Sequence, residues 1–229
     1  METIIMSVGG SLIVPEGIDT LFLKKLKILI EDQIAHKERH FIIITGGGKT
    51  ARRYQDAARD VTELDPDDLD WLGIHATRLN GHLLRTIFKD TAYPVMITNP
   101  EDILGVPKEA ELIVAAGYHP GASTDYRAVQ IAGHIGATKI INLSNTDYIY
   151  TADPRKDLEA IKIEDITWPD FRKLIPEGWD PGLSSPFDPV AARSAEELGI
   201  EVASINGTHL EELANYLDDK PFVGTRIHA

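Results

Sequence analysis

The sequence contains no cysteine. Disulfides, thiolate metal sites and cysteine nucleophiles are therefore excluded outright. The absence also fits a reducing compartment. Basic residues are scarce beside acidic ones: 23 Lys and Arg stand against 36 Asp and Glu, a formal net charge of −13. A chain this acidic is repelled by polyphosphate backbones, so nucleic acid is not an expected partner. Small phosphorylated ligands stay open, because a few local cations and backbone amides can hold them. No stretch approaches the roughly 18 uncharged apolar residues of a membrane span, so no membrane partner is expected. The first residues lack a basic region followed by an apolar run. No signal peptide is expected, and the expected location is the cytoplasm. Internal repeats, low-complexity tracts and long linkers are also missing.

What is present is a globular balance of 43% apolar and 26% charged residues over 229 positions, enough to bury a sizeable core. The length suits one large domain or two closely packed lobes. Apolar, β-branched runs of strand length recur at 4–8, 41–44, 95–97, 112–115, 139–143 and 201–205. They are nearly continuous, as strands buried on both faces should be. Helical patterns lie between them. In residues 19–35, Leu23, Leu26, Ile30 and Ile34 share a face, with Asp19 as N-cap. Residues 49–59, 66–88, 124–135 and 189–198 also predict helices. This alternation predicts an α/β three-layer sandwich with a mostly parallel central sheet. The acidic run over 56–70, with Glu63, Asp65, Asp67 and Asp68, reads as a solvated helix start, and no protein metal site is expected. Residues 176–189, rich in Gly, Pro and Ser, predict a functional loop.

The strongest local signal is a buried strand running into Gly46, Gly47 and Gly48, then Lys49 and Arg52 at a helix start. Glycines let the backbone approach an anion, and a helix N-terminus offers unpaired amides. Two cations sit where the helix dipole disfavours them, and a bound phosphate would resolve that conflict. The spacing is neither a P-loop nor a dinucleotide fingerprint. A second pair, Gly9 and Gly10 before Ser11, ends the first strand, and taken alone it reads equally as a structural turn. A third strand end carries Gly117, Tyr118, His119, Pro120, Gly121, Ala122, Ser123, Thr124 and Asp125. The last three would otherwise read as capping residues. Residues 145–155 and 182–193 look, by themselves, like a turn and a proline-started helix.

Taken in order, these five pieces, together with the segments that begin at Asp70 and Gly224, resemble the uridylate kinase branch of the amino-acid-kinase superfamily, especially its archaeal type. That group shows GGS, GGGKxAR, D-x-x-G-I-x-x-T-R, G-x-H-P-G-x-T-T-D, N-V-D-G-V-Y-T-A-D-P, S-S-x-x-D-P-x-A-A and G-T-x-I in sequence. The counterparts here begin at Gly9, Gly46, Asp70, Gly117, Asn145, Ser184 and Gly224. The resemblance spans essentially the whole chain. It implies transfer of the γ-phosphoryl group of ATP to UMP, with Mg²⁺-bound ATP and a homo-oligomer, commonly a hexamer. It implies an acceptor half over about 1–138 and an ATP half over about 139–229. Gly46, Gly47, Gly48 and Arg52 would hold the UMP phosphate. Asp70 would bind its ribose with Gly73 nearby, and Ser123 and Thr124 would contact UMP. Gly9, Gly10, Ser11, Asn145, Tyr150, Asp153 and Pro154 would border ATP. Asp125 and Asp188 would serve the catalytic centre. Departures are also visible. Ser7 stands where many relatives carry a first-strand Lys, so Lys49 is the expected replacement cation. Ser123 replaces the first Thr of T-T-D, Tyr148 replaces a Gly, and Arg127 stands where small residues are common. Another acceptor within the superfamily, or a non-catalytic nucleotide-binding relative that stores metal oxyanions, remains an alternative.

Overall fold

The computed structural model describes residues 2–154, 156–178 and 185–229. Among these residues there are nine strands: β1 (Glu2–Val8), β2 (Arg39–Thr45), β3 (Leu112–Ala115), β4 (Lys139–Ser144), β5 (Ile149–Tyr150), β6 (Lys162–Ile163), β7 (Asp165–Thr167), β8 (Glu201–Asn206) and β9 (Thr225–His228). Eight α-helices accompany them: α1 (Gly10–Ile13), α2 (Thr20–Lys37), α3 (Gly48–Val61), α4 (Pro66–Ile87), α5 (Thr124–Ile135), α6 (Trp168–Arg172), α7 (Pro189–Glu197) and α8 (Leu210–Leu217). The central sheet runs β3-β2-β1-β4-β8-β9-β7, and only the β8–β9 pairing is antiparallel.

Strand side chains alternate between two cores, because successive residues point to opposite faces. Ile5, Ile42, Ile44, Ile140 and Val202 pack with α5, α6 and α7. Met6, Val8, Phe41, Ile43, Ile141, Leu143, Ala203 and Ile205 pack with α1, α2, α8 and the end of α4. The sheet is thus the middle of three layers, which explains strands apolar on both faces. Asp19 caps α2 by accepting from the Phe22 amide at 2.9 Å, as its position predicts.

One expected strand is absent. Residues 95–97 make only an isolated bridge from Ile97 to Ala115, with another from Ala92 to Leu112. Pro94 lies between them and has no N–H to donate, so the ladder cannot run through. Among the described residues, no helix is long and apolar enough to cross a membrane.

Candidate functional site

Two glycine loops meet at the carboxyl edge of the sheet, where parallel α/β folds place their ligands. A Cβ on Gly10 would lie 2.3 Å from the Gly48 nitrogen and 2.5 Å from the Gly46 carbonyl oxygen. Gly48 has φ +58° and would place its own Cβ 2.2 Å from the Gly10 carbonyl carbon. No side chain fits at either position, so these two glycines serve loop-to-loop packing as well as any ligand. The Gly46 amide donates to Val8 O at 2.9 Å, and Asn80 Nδ2 donates to Gly46 O at 2.8 Å. Gly73 on α4 adjoins the same loop: its carbonyl oxygen lies 3.2 Å from where a Gly47 Cβ would stand.

The first turn of α3 follows directly. Arg52 is exposed there and forms no ion pair among the described residues. Lys49 is partly exposed and pairs with Glu16, which also accepts from Arg53 Nη2 at 2.8 Å. Lys49 first, then Arg53, holds the Glu16 carboxyl below the usual range. Lys49 is therefore directed at the loop after α1.

The second centre forms where β1 meets the starts of α5 and α7. Ser7 Oγ donates to Asp125 Oδ1 at 3.0 Å. The Asp188 amide approaches Asp125 Oδ2 at 3.4 Å, and Asp188 Oδ1 caps α7 by accepting from Ala191 N at 2.6 Å. Burial pushes the Asp125 carboxyl up to about 6; the nearby Asp188 charge adds to this, while the Ser7 hydroxyl opposes it. Burial also raises Asp188, against the Ala191 amide and the Ser123 hydroxyl. Asp188 Oδ2 is buried with no hydrogen bond of normal geometry. Ser123 itself caps α5 through the Tyr126 amide at 3.1 Å, and Thr124 opens that helix.

Beneath this centre, Ser7, Asn142 and Ser204 stand side by side in register on β1, β4 and β8. All three are buried. Asn142 Nδ2 donates to Pro186 O at 2.9 Å and ties the sheet to the segment before α7. Asn142 and Ser204 were missed from the sequence, although a polar residue inside an apolar run was their signal.

Asp70 lies on α4 and is 8% exposed. Its Oδ2 accepts from the Gly121 amide at 2.7 Å. Burial raises its carboxyl, while Gly121, Arg127 and His119 act in the other direction. Arg78 supports the same loop, donating to Gly117 O at 3.0 Å and Tyr118 O at 2.7 Å. Asp70 and the third motif thus meet across 51 residues.

Ser11 lies in α1, beside Gly9 and Gly10. Asn145, Tyr150, Asp153 and Pro154 lie beyond the end of β4, the neighbour of β1 in the sheet. Asp147 anchors that segment by accepting from Asn206 Nδ2 at 2.7 Å. Thr225 accepts from the Ile149 amide at 2.8 Å and donates to Ile163 O. The Tyr148 ring meets Tyr150 edge-on at 6.4 Å, and Lys162 Nζ lies 4.8 Å above it. Arg155 and residues 182–184 of the sequence motifs lie outside the described residues.

Known proteins resemble this arrangement over its whole length. The pattern that defines the amino acid kinase family matches residues 2–206. A uridylate kinase of Methanospirillum hungatei is 36% identical over 228 residues, covering 99% of this chain and 95% of the relative. One from Pyrococcus abyssi is 32% identical, covering 86% and 87%. The crystal structure of uridylate kinase from Archaeoglobus fulgidus superposes with a TM-score of 0.82 at 27% identity, covering 99% of this chain and all of that one.

Proposed function

Because the chain belongs to the amino acid kinase family, we propose that it is a uridylate kinase, moving the γ-phosphoryl group of ATP onto UMP. The observation that carries this reading is the interlock of the Gly10 and Gly48 loops at adjacent strand ends, with Asp125 on Ser7 beside it. Donor and acceptor sites on neighbouring parallel strands bring two phosphates together, and phosphoryl transfer asks a protein chiefly for positioning and charge neutralisation.

In this reading the UMP phosphate rests on the backbone of Gly46, Gly47 and Gly48 at the α3 N-terminus, with Arg52 closing over it. Asp70 takes the ribose, with Gly73 beside it, and Ser123 and Thr124 face the moving group. ATP lies along Gly9, Gly10 and Ser11, bordered by Asn145, Tyr150, Asp153 and Pro154. The UMP phosphate is itself the nucleophile, so no general base is required. Lys49 leaves Glu16 to meet the transferring phosphoryl group. Asp125, held by Ser7, orients the reacting groups as an anion.

Among the described residues no cluster of three or more acidic or His side chains could hold a metal alone. A Mg²⁺ ion would fit as part of the donor complex, where ATP phosphates and the Asp188 carboxylate, whose buried Oδ2 has no hydrogen bond of normal geometry, would hold it as hard oxygen donors. Bound there, it neutralises phosphate charge. A hexameric assembly is a separate proposal, tested by light scattering.

The deciding experiment is ADP release measured with UMP, CMP, acetylglutamate and isopentenyl phosphate as acceptors. Turnover with UMP well above the others is expected. ATP binding without turnover on any acceptor would overturn the reading in favour of a storage protein.

A further inference from the structure

Arg127 is a charge that the proposed reaction does not use. It is 3% exposed and forms no ion pair among the described residues. Its Nη1 donates to Gln130 Oε1 at 2.7 Å and its Nη2 to His119 O at 3.1 Å. Its Nε is buried without a partner. The guanidinium carbon lies 5.6 Å from the Tyr118 ring centre and 6.0 Å from that of Tyr126. An unpaired buried guanidinium costs stability that an apolar residue of similar volume would not. A structural role alone gives no reason for the charge.

The surroundings supply one. His119, whose carbonyl Arg127 holds, is two residues before Gly121, whose amide is bound to Asp70. Arg78 grips the preceding two carbonyls of the same loop. Arg127 and Asp70 also lie within each other's field. Arg78, Arg127 and Asp70 thus hold four successive or near-successive backbone groups of one loop.

We propose that Arg127 is a positioning residue for the acceptor nucleotide: it clamps the His119 carbonyl so that the Gly121 amide stays on Asp70, and it is the only buried guanidinium bonded to that loop among the described residues. The inference rests on the reading of Asp70 as the ribose contact. The other charged groups bearing on Asp70 are Asp67, which opposes its ionisation, and His119, which favours it.

The test is steady-state kinetics of Arg127→Met and Arg127→Lys across pH, with Asp70→Asn as control. Met fills the volume without the charge, so Arg127→Met is expected to fold with unchanged or raised Tm. Its KM for UMP should rise about tenfold with KM for ATP unchanged. The acid limb of kcat/KM for UMP should move to higher pH, because Asp70 loses its cation. Arg127→Lys should restore the acid limb but only part of the KM, since a single ammonium lacks the guanidinium fork. Unaltered KM and pH profile in Arg127→Met would overturn the proposal. If Arg127→Met does not fold, the Lys variant decides: a normal KM for UMP overturns it, and a raised KM with an unshifted limb supports it. If Asp70→Asn leaves KM for UMP unchanged, the acceptor assignment itself fails, which is a distinct result.

Discussion

The Ser7 hydroxyl and the Asp125 carboxylate, 118 residues apart in sequence, meet at 3.0 Å under the starts of α5 and α7. Here a neutral donor holds the aspartate, and the carboxyl stays perturbed upward to about 6.

Asp125→Asn should stabilise the protein at neutral pH while abolishing turnover. The native carboxyl is raised from 3.8 to about 6, so the folded state binds the proton more tightly than the unfolded one. This group's contribution to stability is therefore greatest below about pH 4 and is lost as pH rises through 6. Asparagine removes that loss, on the order of 3 kcal/mol. Thermal melts should show the variant above wild type at pH 8, with the gap closing by pH 4. A gap independent of pH would contradict the assignment.

Ser7→Ala should move the acid limb of kcat upward from near pH 6. The hydroxyl favours the ionised carboxylate, and its loss leaves burial and Asp188 less opposed. A kcat profile superimposable on wild type would detach Ser7 from the catalytic carboxylate.

Arg52→Ala should weaken UMP far more than ATP. A charge-assisted phosphate contact is worth about 1.5–3 kcal/mol, or roughly ten- to a hundredfold in affinity. Arg52 is exposed and makes no ion pair among the described residues, so its loss should leave Tm unchanged. Calorimetry that finds both nucleotides equally weakened would remove Arg52 from the acceptor site.

Lys49→Met should lower kcat on the order of a hundredfold with a modest change in UMP affinity. Lys49 pairs with Glu16. Glu16→Gln should therefore keep or raise kcat, because it releases the lysine. If Lys49→Met turns over normally while Glu16→Gln slows the enzyme, the pair is structural and the compensating cation lies elsewhere.

Much of the fold was legible. Five of six strands and all five long helices follow from the sequence pattern, because strands buried on both faces are nearly continuous apolar runs and amphipathic helices repeat every 3.6 residues. The failure at 95–97 has a local cause in Pro94. The short elements α1, α6 and β9 carry too few residues to show a period. For the site, the glycine junctions were visible as motifs, but the mutual contact of Gly10 and Gly48 was not. Nor was the row of Ser7, Asn142 and Ser204, since nothing in β1 reveals which strand lies beside it.

By itself the sequence determined the strand–glycine–helix junctions and the two-faced burial of the sheet, since these depend on residues adjacent along the chain. Only the tertiary structure decided which junctions meet. Parallel strands are joined by long crossovers, so neighbours in the sheet are distant in sequence, and their pairing comes from packing of the whole layer. That order sets Asp125 on Ser7, Gly121 on Asp70 and Lys49 on Glu16.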